Sequence, residues 1–205
     1  MRDYLRLMFV LAIISAVAAG LLALVDSFTT PKIEAYKAQS EANAYQQVLP
    51  EADSFGEDSE LMKEISARSD LASIQTVKVG TKAEKQVGWV CKVASPGYSS
   101  NIVMLIGINS EGELGKVIIL EQKESPGLGT NVTDPEFIEQ KAIAEAKVNQ
   151  ELKVIKDGGE VQAITGATIS SRAVLRGINQ VFQFYRWQTG DQSALNVDTV
   201  TEGTK

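Results

Sequence analysis

The chain has 205 residues and a formal net charge of −6, with a sequence pI near 4.9. This acidic balance leaves no basic patch that could neutralise phosphates, which argues against a nucleic-acid partner. The sequence has no histidine and a single cysteine, Cys91. A histidine-based triad, cysteine-ligated iron–sulfur clusters and Cys/His zinc sites are therefore excluded. We predict no metal site, and electron transfer by this chain would need an organic cofactor.

An uncharged run over residues 7–25 predicts a transmembrane helix. Its 19 residues, at ~1.5 Å each, nearly match a hydrocarbon core of ~30 Å. Arg2 and Arg6 precede the run and Asp26 follows it. The positive-inside rule then places the N-terminus in the cytoplasm and the rest of the chain outside the cell (inner) membrane. A cleaved signal peptide is the alternative, but the run exceeds the usual ~7–15 residues of a signal core.

A second helix is expected to begin at Thr29-Thr30-Pro31, with Thr30 capping it and Pro31 in its first turn. It would continue through a polar segment to Leu49, end at Pro50, and lift the following domain off the bilayer. Residues 51–60 are acidic and indicate a loop. A short helix is predicted directly after them, over residues 61–65.

A strand-rich block follows. Residues 74–79 and 87–93 have strand composition, and the alternation in the second places Cys91 in the core. Residues 102–108 are almost wholly apolar and predict a central strand. The turn at residues 109–112 would join this strand to residues 116–120 in a hairpin.

The C-terminal part is predicted to be mainly helical. Asp134-Pro135-Glu136 indicates a helix start, and this helix would run to about Lys147. A further hairpin is predicted over residues 152–161. The last helix follows residues 163–171, ends near Trp187, and precedes a loose tail. Its apolar residues recur at helical spacing: Val174, Ile178, Val181, Phe182 and Tyr185.

The segment before the last helix combines hydroxyl side chains with Gly166 and Ala167. Free backbone N–H groups and the positive end of the helix dipole suit a phosphate at such a place. The simpler interpretation is that a serine or threonine there only caps the helix.

The residues Thr165-Gly166-Ala167-Thr168, followed by Ile169-Ser170, resemble the flavinylation motif Ser/Thr-Gly-Ala-Thr of the FMN-binding domain family. Members carry FMN joined through its phosphate to the hydroxyl of the final threonine, here Thr168. From the N-terminal anchor to about Trp187 the chain resembles the G-subunit family of Rnf ferredoxin:NAD oxidoreductases, which are ion-translocating membrane complexes. The resemblance implies a cofactor-binding role for the whole motif: Thr165, Gly166, Ala167, Thr168, Ile169 and Ser170.

A second segment, Glu124-Ser125-Pro126-Gly127-Leu128-Gly129, is similar to the Glu-Thr-Pro-Gly-Leu-Gly segment of the Rnf G subunits. Pro126-Gly127 suits the middle of a type II turn, and a plain connecting turn is the alternative. The resemblance implies a place beside the flavin, where Gly127 and Gly129 allow close backbone approach and Leu128 covers the ring.

The turn Gly97-Tyr98-Ser99 resembles another recurrent element of this family. There Tyr98 either contacts the flavin or is simply an exposed aromatic residue in a turn. The chain departs from the family pattern at Gln162, where members often have Asp, and at Gln122, where they often have His. If that Asp helps a flavin transferase to recognise its target, attachment to this chain is less efficient, although the acceptor hydroxyl remains.

These expectations describe an α+β protein with a single N-terminal transmembrane helix and an extracytoplasmic FMN-binding domain built from an antiparallel sheet and packed helices. The predicted organisation, in chain order, is a cytoplasmic N-terminus (1–6), a transmembrane helix (7–25), a juxtamembrane helix (26–50), the FMN-binding domain (51–187) and a flexible tail (188–205).

The resemblance implies an electron-relay subunit of an oxidoreductase, with no catalytic group beyond covalent FMN and with the other membrane subunits of the complex as partners. Because no histidine activates Thr168, maturation would need a separate flavin transferase. A covalent bond also retains the cofactor outside the cytoplasm when the pocket is open. Two alternatives remain: the C subunit of a sodium-pumping NADH:quinone reductase, and a non-redox membrane-anchored extracytoplasmic binding module.

Overall fold

A computed structural model describes the backbone of residues 2–190 and the side chains of residues 4–190. Most of the predicted flexible tail, from residue 191 to 205, lies outside the described residues. The chain forms two compact units, which divide between Asn43 and Ala44.

The first helix, α1, spans Arg2–Val48. Its apolar side chains between Tyr4 and Phe28 are exposed, which would be unfavourable in water. The helix is long and apolar enough to cross a membrane, judged by length and composition. This confirms the predicted apolar N-terminal helix and fits a single-pass membrane anchor.

The predicted helix start at Thr30 is wrong, because α1 continues through Pro31. Proline lacks the N–H that would bond the carbonyl four residues earlier, which costs about 3 kcal/mol in an ordinary helix interior. The neighbouring hydroxyls also bond backwards within the helix. Thr29 donates to the Val25 carbonyl at 2.8 Å, and Thr30 donates to Asp26 Oδ1 at 3.1 Å. The two threonines therefore belong to a continuing helix and do not cap a new one.

The second unit contains a five-stranded antiparallel sheet in which neighbouring strands follow the order of the chain. The four predicted strands are all present, and the predicted turn at residues 109–112 joins the last two of them in a hairpin. Gly112 in this turn has φ of +78°. The strands are β1 (Ser54–Glu57), β2 (Ile74–Lys82), β3 (Lys85–Pro96), β4 (Asn101–Asn109) and β5 (Leu114–Glu121). The edge strand β1 falls in the segment predicted as a loop, since its four residues are mostly exposed and show no alternation.

The sheet is covered on both faces. The longest helix of this unit, α5 (Thr168–Thr189), packs on β3 and β4 through its predicted apolar side. On the opposite face, Tyr45, Val48 and Leu49 from the end of α1 pack against Val90 of β3 and neighbouring residues. Successive strand residues point to opposite faces. Cys91 therefore lies in the core on the α5 side, where it is fully buried as predicted.

The predicted helix from Asp134 to Lys147 is wrong, because the structure has two short helices, α3 (Pro135–Ile138) and α4 (Lys141–Ala144). Gln140 between them has an extended ψ of 138°. Its side chain donates to the Gln162 carbonyl at 3.0 Å and accepts from the Gln162 N–H at 2.8 Å. This long-range pairing interrupts the helix. The predicted short helix at residues 61–65 is confirmed as α2 (Ser59–Ser66).

The predicted hairpin over residues 152–161 is also wrong. A single parallel bridge joins Val154 and Val161, and Ile155–Asp157 form a 3-10 turn between them. The Leu152 backbone is paired with α5 instead of a strand: the Asn179 amide accepts from its N–H and donates to its carbonyl, both at 2.9 Å. Asn179 of the helix therefore takes the backbone groups of Leu152 that a hairpin would need.

The contact between the end of α1 and the sheet requires a glycine. A Cβ added at Gly107 would overlap the backbone carbonyl of Val48, which cannot move as a flexible side chain can. We expect Gly107→Ala to lower the free energy of unfolding by about 2 kcal/mol, the usual cost of overpacking. Thermal denaturation of the full chain in detergent measures this, with Gly56→Ala as the control because its added Cβ meets nothing within 4 Å. Equal melting temperatures for the two variants would contradict this packing.

Candidate functional site

The sequence segments singled out above meet at one groove of about 450 Å³, within the range of small-molecule sites. Its wall comes from three places: the β3–β4 turn, the loop after β5, and the start of α5. All but one of its lining residues were predicted from the sequence. They are Tyr98, Glu124, Ser125, Leu128, Gly129, Lys156, Gly166, Ala167, Thr168, Ile169 and Ser170.

The other predicted site residues lie next to this groove or away from it. Gly97 donates to the Ser100 carbonyl at 2.8 Å and closes the β3–β4 turn. Pro126 and Gly127 form the turn at the rim, where Gly127 has φ of +72°. Thr165 faces a separate cleft, which Gln140 and Gln162 also line.

Glu124 is the group around which the groove is built, and its side chain is only 5% exposed. Its Oε1 accepts hydrogen bonds from the backbone N–H groups of Tyr98 at 3.1 Å, Ser99 at 3.0 Å and Ser100 at 3.2 Å. Its Oε2 accepts from Ser170 Oγ at 2.6 Å. One carboxylate therefore ties the β3–β4 turn to the first turn of α5.

Two glycines leave room for this carboxylate. A Cβ at Gly97 would come within 2.5 Å of Glu124 Oε1, and one at Gly129 would lie 2.7 Å from Glu124 Cβ and 2.8 Å from Ser170 Oγ. Gly129 was expected to let a ligand approach the backbone. In the structure, its lack of a side chain is already required by the packing around Glu124.

The hydrogen bonds also decide the charge of Glu124. Burial alone would raise its pKa, but the bonds from Ser170 and from the three backbone N–H groups outweigh burial, so the pKa lies below its ordinary value. Glu124 is therefore ionised at neutral pH. Its negative charge is already matched by fixed donors, so it acts as a positioning residue for the groove.

Thr168 is the first residue of α5, and its half-buried side chain lines the groove. The capping interpretation is wrong, because the cap position is occupied by Ala167 and no side chain forms a cap hydrogen bond. Ser171 binds the preceding loop instead: its Oγ accepts from the Ile164 N–H and donates to the Ala167 carbonyl, both at 3.0 Å. The Thr168 hydroxyl forms no hydrogen bond to any residue that the structure describes.

Lys156 is the lining residue that the sequence did not identify. It lies in the 3-10 turn Ile155–Asp157, which was predicted as part of a hairpin. The turn is fixed to α5 by Asp157, whose carboxylate accepts two hydrogen bonds from Arg172 at 2.7 and 2.6 Å. The Arg172 guanidinium lowers the pKa of Asp157, so this contact stays charged in mildly acidic solution. A lysine in a Gly-rich turn carries no signal in sequence that links it to a site 12 residues further on.

Exposed apolar side chains concentrate at this groove. Among residues 44–190 of the described chain, four large apolar side chains are exposed: Tyr98 (68%), Ile155 (54%), Leu128 (45%) and Ile169 (45%). Three of them line the groove and Ile155 precedes Lys156. An exposed apolar patch rimmed by polar groups marks a place for a ligand or a partner.

The region that forms the groove matches a known protein family. The FMN-binding domain family model matches residues 97–183, and the RnfG N-terminal region model matches residues 5–48. A crystal structure of Shewanella oneidensis NqrC aligns with a TM-score of 0.46 at 19% identity, over 70% of this chain and 74% of that chain.

Two curated relatives match almost end to end. The G subunit of the Na(+)-translocating ferredoxin:NAD(+) oxidoreductase complex of Acetobacterium woodii is 32% identical over 194 residues, which cover 88% of this chain and 91% of the relative. The G subunit of the ion-translocating oxidoreductase complex of Methanosarcina acetivorans is 29% identical over 191 residues, which cover 92% and 98%. The chain therefore belongs to the family of G subunits of Rnf-type ion-translocating oxidoreductase complexes, and it contains that family's FMN-binding domain.

Proposed function

We propose that this chain is an electron-relay subunit of a membrane-bound ion-translocating ferredoxin:NAD oxidoreductase complex, and that it carries FMN through a phosphoester to Thr168. The observation that carries the proposal is the unbonded hydroxyl of Thr168, a residue that lines the groove where both motif segments meet. The names of the Acetobacterium and Methanosarcina relatives support the place in a complex.

The residues of the groove fit the parts of FMN. Leu128, Ile169 and Tyr98 offer the apolar and aromatic surface that a flavin ring needs, and all three side chains are exposed. Thr168 opens a helix of 22 residues, whose first N–H groups and dipole favour a phosphate. FMN bound there would supply electron exchange in single or paired steps, and the protein would set its position and potential.

Attachment of FMN to Thr168 would be a phosphoryl transfer. Thr168 Oγ forms a bond to the phosphorus of a flavin dinucleotide, the pyrophosphate bond breaks, and the nucleoside monophosphate leaves with its electron pair. The hydroxyl proton has to go to a base, and the described residues that line the groove contain no such base except Glu124, which is occupied by fixed donors. A separate flavin transferase would supply it.

The open groove suits a relay. A covalently held cofactor needs no deep pocket for retention, so an edge of the ring can stay accessible to other subunits. The N-terminal anchor would hold this surface next to those subunits, and the charges flanking the apolar run favour the extracytoplasmic side of the cell membrane for the groove.

Mass spectrometry tests the proposal. The full chain is expressed with and without a flavin transferase, and intact masses are compared. We expect one FMN-phosphoryl adduct only with the transferase, located at Thr168 in the tryptic peptide of residues 157–172. An unmodified chain in the presence of an active transferase, or an adduct on another residue, would overturn it.

A further inference from the structure

Lys156 stands out among the groove residues because of its charge. Of the residues that line the groove, two are charged, Lys156 and Glu124. The Glu124 carboxylate is buried and bonded to the β3–β4 turn and Ser170. The Lys156 side chain is exposed, and no described residue forms an ion pair or a hydrogen bond with it. The groove therefore presents one uncompensated positive charge, in a chain whose net charge is −6.

The turn that carries Lys156 is fixed relative to the helix that begins at Thr168. The bidentate contact between Asp157 and Arg172 ties the 3-10 turn to α5. Arg172 follows Thr168 by four residues, so the two lie on the same face of the helix. Lys156 precedes Asp157 directly, and both Lys156 and Thr168 line the groove.

We propose that Lys156 is the residue that recognises the phosphate of the flavin and positions it at Thr168. A lysine ammonium is a compact point charge that binds phosphate without requiring one fixed geometry. The phosphate is the part of FMN that is charged in every oxidation state, so it is the partner that an uncompensated lysine would neutralise. The inference rests on the proposed function and deepens it, because it predicts selection for a phosphorylated flavin before any covalent bond forms.

The test compares FMN with riboflavin, which has the same ring and ribityl chain but no phosphate. The full chain is expressed without a transferase, and binding of each flavin is followed by quenching of flavin fluorescence. Wild type is expected to bind FMN about tenfold more tightly than riboflavin, as a charge-assisted contact would give. Lys156→Gln should lose most of that preference through weaker FMN binding, with riboflavin binding unchanged. Lys156→Arg, which keeps the charge, should retain it.

Lys153→Gln is the matched control. Lys153 lies three residues earlier, pairs with Glu151 at 2.7 Å and does not line the groove. Its replacement removes the same charge from the same region, so the preference for FMN should stay as in wild type. If both lysine variants lost the preference for FMN equally, the cause would be the general electrostatic field of the region, and the assignment of Lys156 to the phosphate would be overturned.

Three other results would overturn it. The first is that wild type binds FMN and riboflavin with equal affinity, and the second is that it binds neither detectably. The third is that Lys156→Gln weakens the binding of both flavins equally, which would place the lysine charge near the ring. The outcome is independent of the adduct experiment. If no adduct forms but Lys156→Gln still loses the preference for FMN, only the covalent bond is contradicted. If an adduct forms at Thr168 but Lys156→Gln keeps the preference, only this inference is contradicted.

Discussion

Thr168→Ala is expected to abolish covalent flavin completely, so that a denatured band that fluoresces under ultraviolet light in wild type is dark in the variant. The reason is chemical, because alanine has no oxygen to accept the phosphoryl group. Stability should not change, since the Thr168 hydroxyl binds no described residue and Thr→Ala at the first helical position is well tolerated. Co-expression with the transferase, gel fluorescence and thermal denaturation measure both effects.

Thr165→Ala serves as the control for this prediction. Thr165 lies three residues earlier and has a hydroxyl of the same kind, but its side chain faces the neighbouring cleft with Gln140 and Gln162. We therefore expect this variant to keep the fluorescent band. A dark Thr165→Ala band beside a bright Thr168→Ala band would move the acceptor to the other threonine. Equal brightness of wild type and both variants would rule out both as acceptors.

Glu124→Gln is expected to lower the free energy of unfolding by about 3 kcal/mol, since removing the charge weakens several hydrogen bonds to one buried group. Glutamine has the same size, but its NH₂ group cannot accept from Tyr98, Ser99 and Ser100 while its oxygen also serves Ser170. The turn at residues 97–100 should then loosen. Thermal denaturation and amide hydrogen exchange in that turn measure the change.

Two variants calibrate this effect. Ser170→Ala removes one of the bonds to the same carboxylate and should cost about 1 kcal/mol. Glu160→Gln removes a charge from an exposed side chain and should stay within about 0.5 kcal/mol of wild type. If Glu124→Gln were as stable as Glu160→Gln, the carboxylate would not hold the groove together.

The same carboxylate makes a specific contribution to acid sensitivity. The pKa of Glu124 is lowered from its ordinary value of 4.5 in the folded state. Its contribution to stability is therefore full above that ordinary value and is lost as the pH falls through the lower, folded-state value. The gap in melting temperature between wild type and Glu124→Gln should narrow on acidification below about pH 4.5. Glu113 and Asp157, whose pKa values are also lowered, titrate in both proteins and cancel in the difference.

Local patterns were enough to identify most of the fold. The uncharged run of residues 7–25, the alternation around Cys91, the turn at residues 109–112 and the apolar spacing of α5 each depend on residues close together in the chain. Such patterns report which side of an element is buried, and burial is the dominant contribution to folding. The motif segments were likewise visible as short strings of residues, which is why all but one of the groove residues could be predicted.

Two of the errors occur where distant residues compete for the backbone. Gln140 pairs with Gln162 and interrupts a helix whose local start had been recognised. Asn179 takes the backbone groups of Leu152, so the expected hairpin does not form. Each partner lies more than 20 residues away, and no local propensity can report a hydrogen bond that only the folded chain brings within reach.

By itself, the sequence determined the kind of protein this is: a long apolar N-terminal helix, an antiparallel sheet packed against a long helix, and a threonine in a segment that resembles a flavinylation motif. The tertiary structure decided how the groove is assembled. Glu124 was expected to lie beside the cofactor, and folding directs its carboxylate to three backbone N–H groups and Ser170. Lys156 joins the site because Asp157 binds Arg172. Both outcomes depend on hydrogen bonds between residues that are far apart in the sequence. Such bonds form only when folding brings the separate elements together.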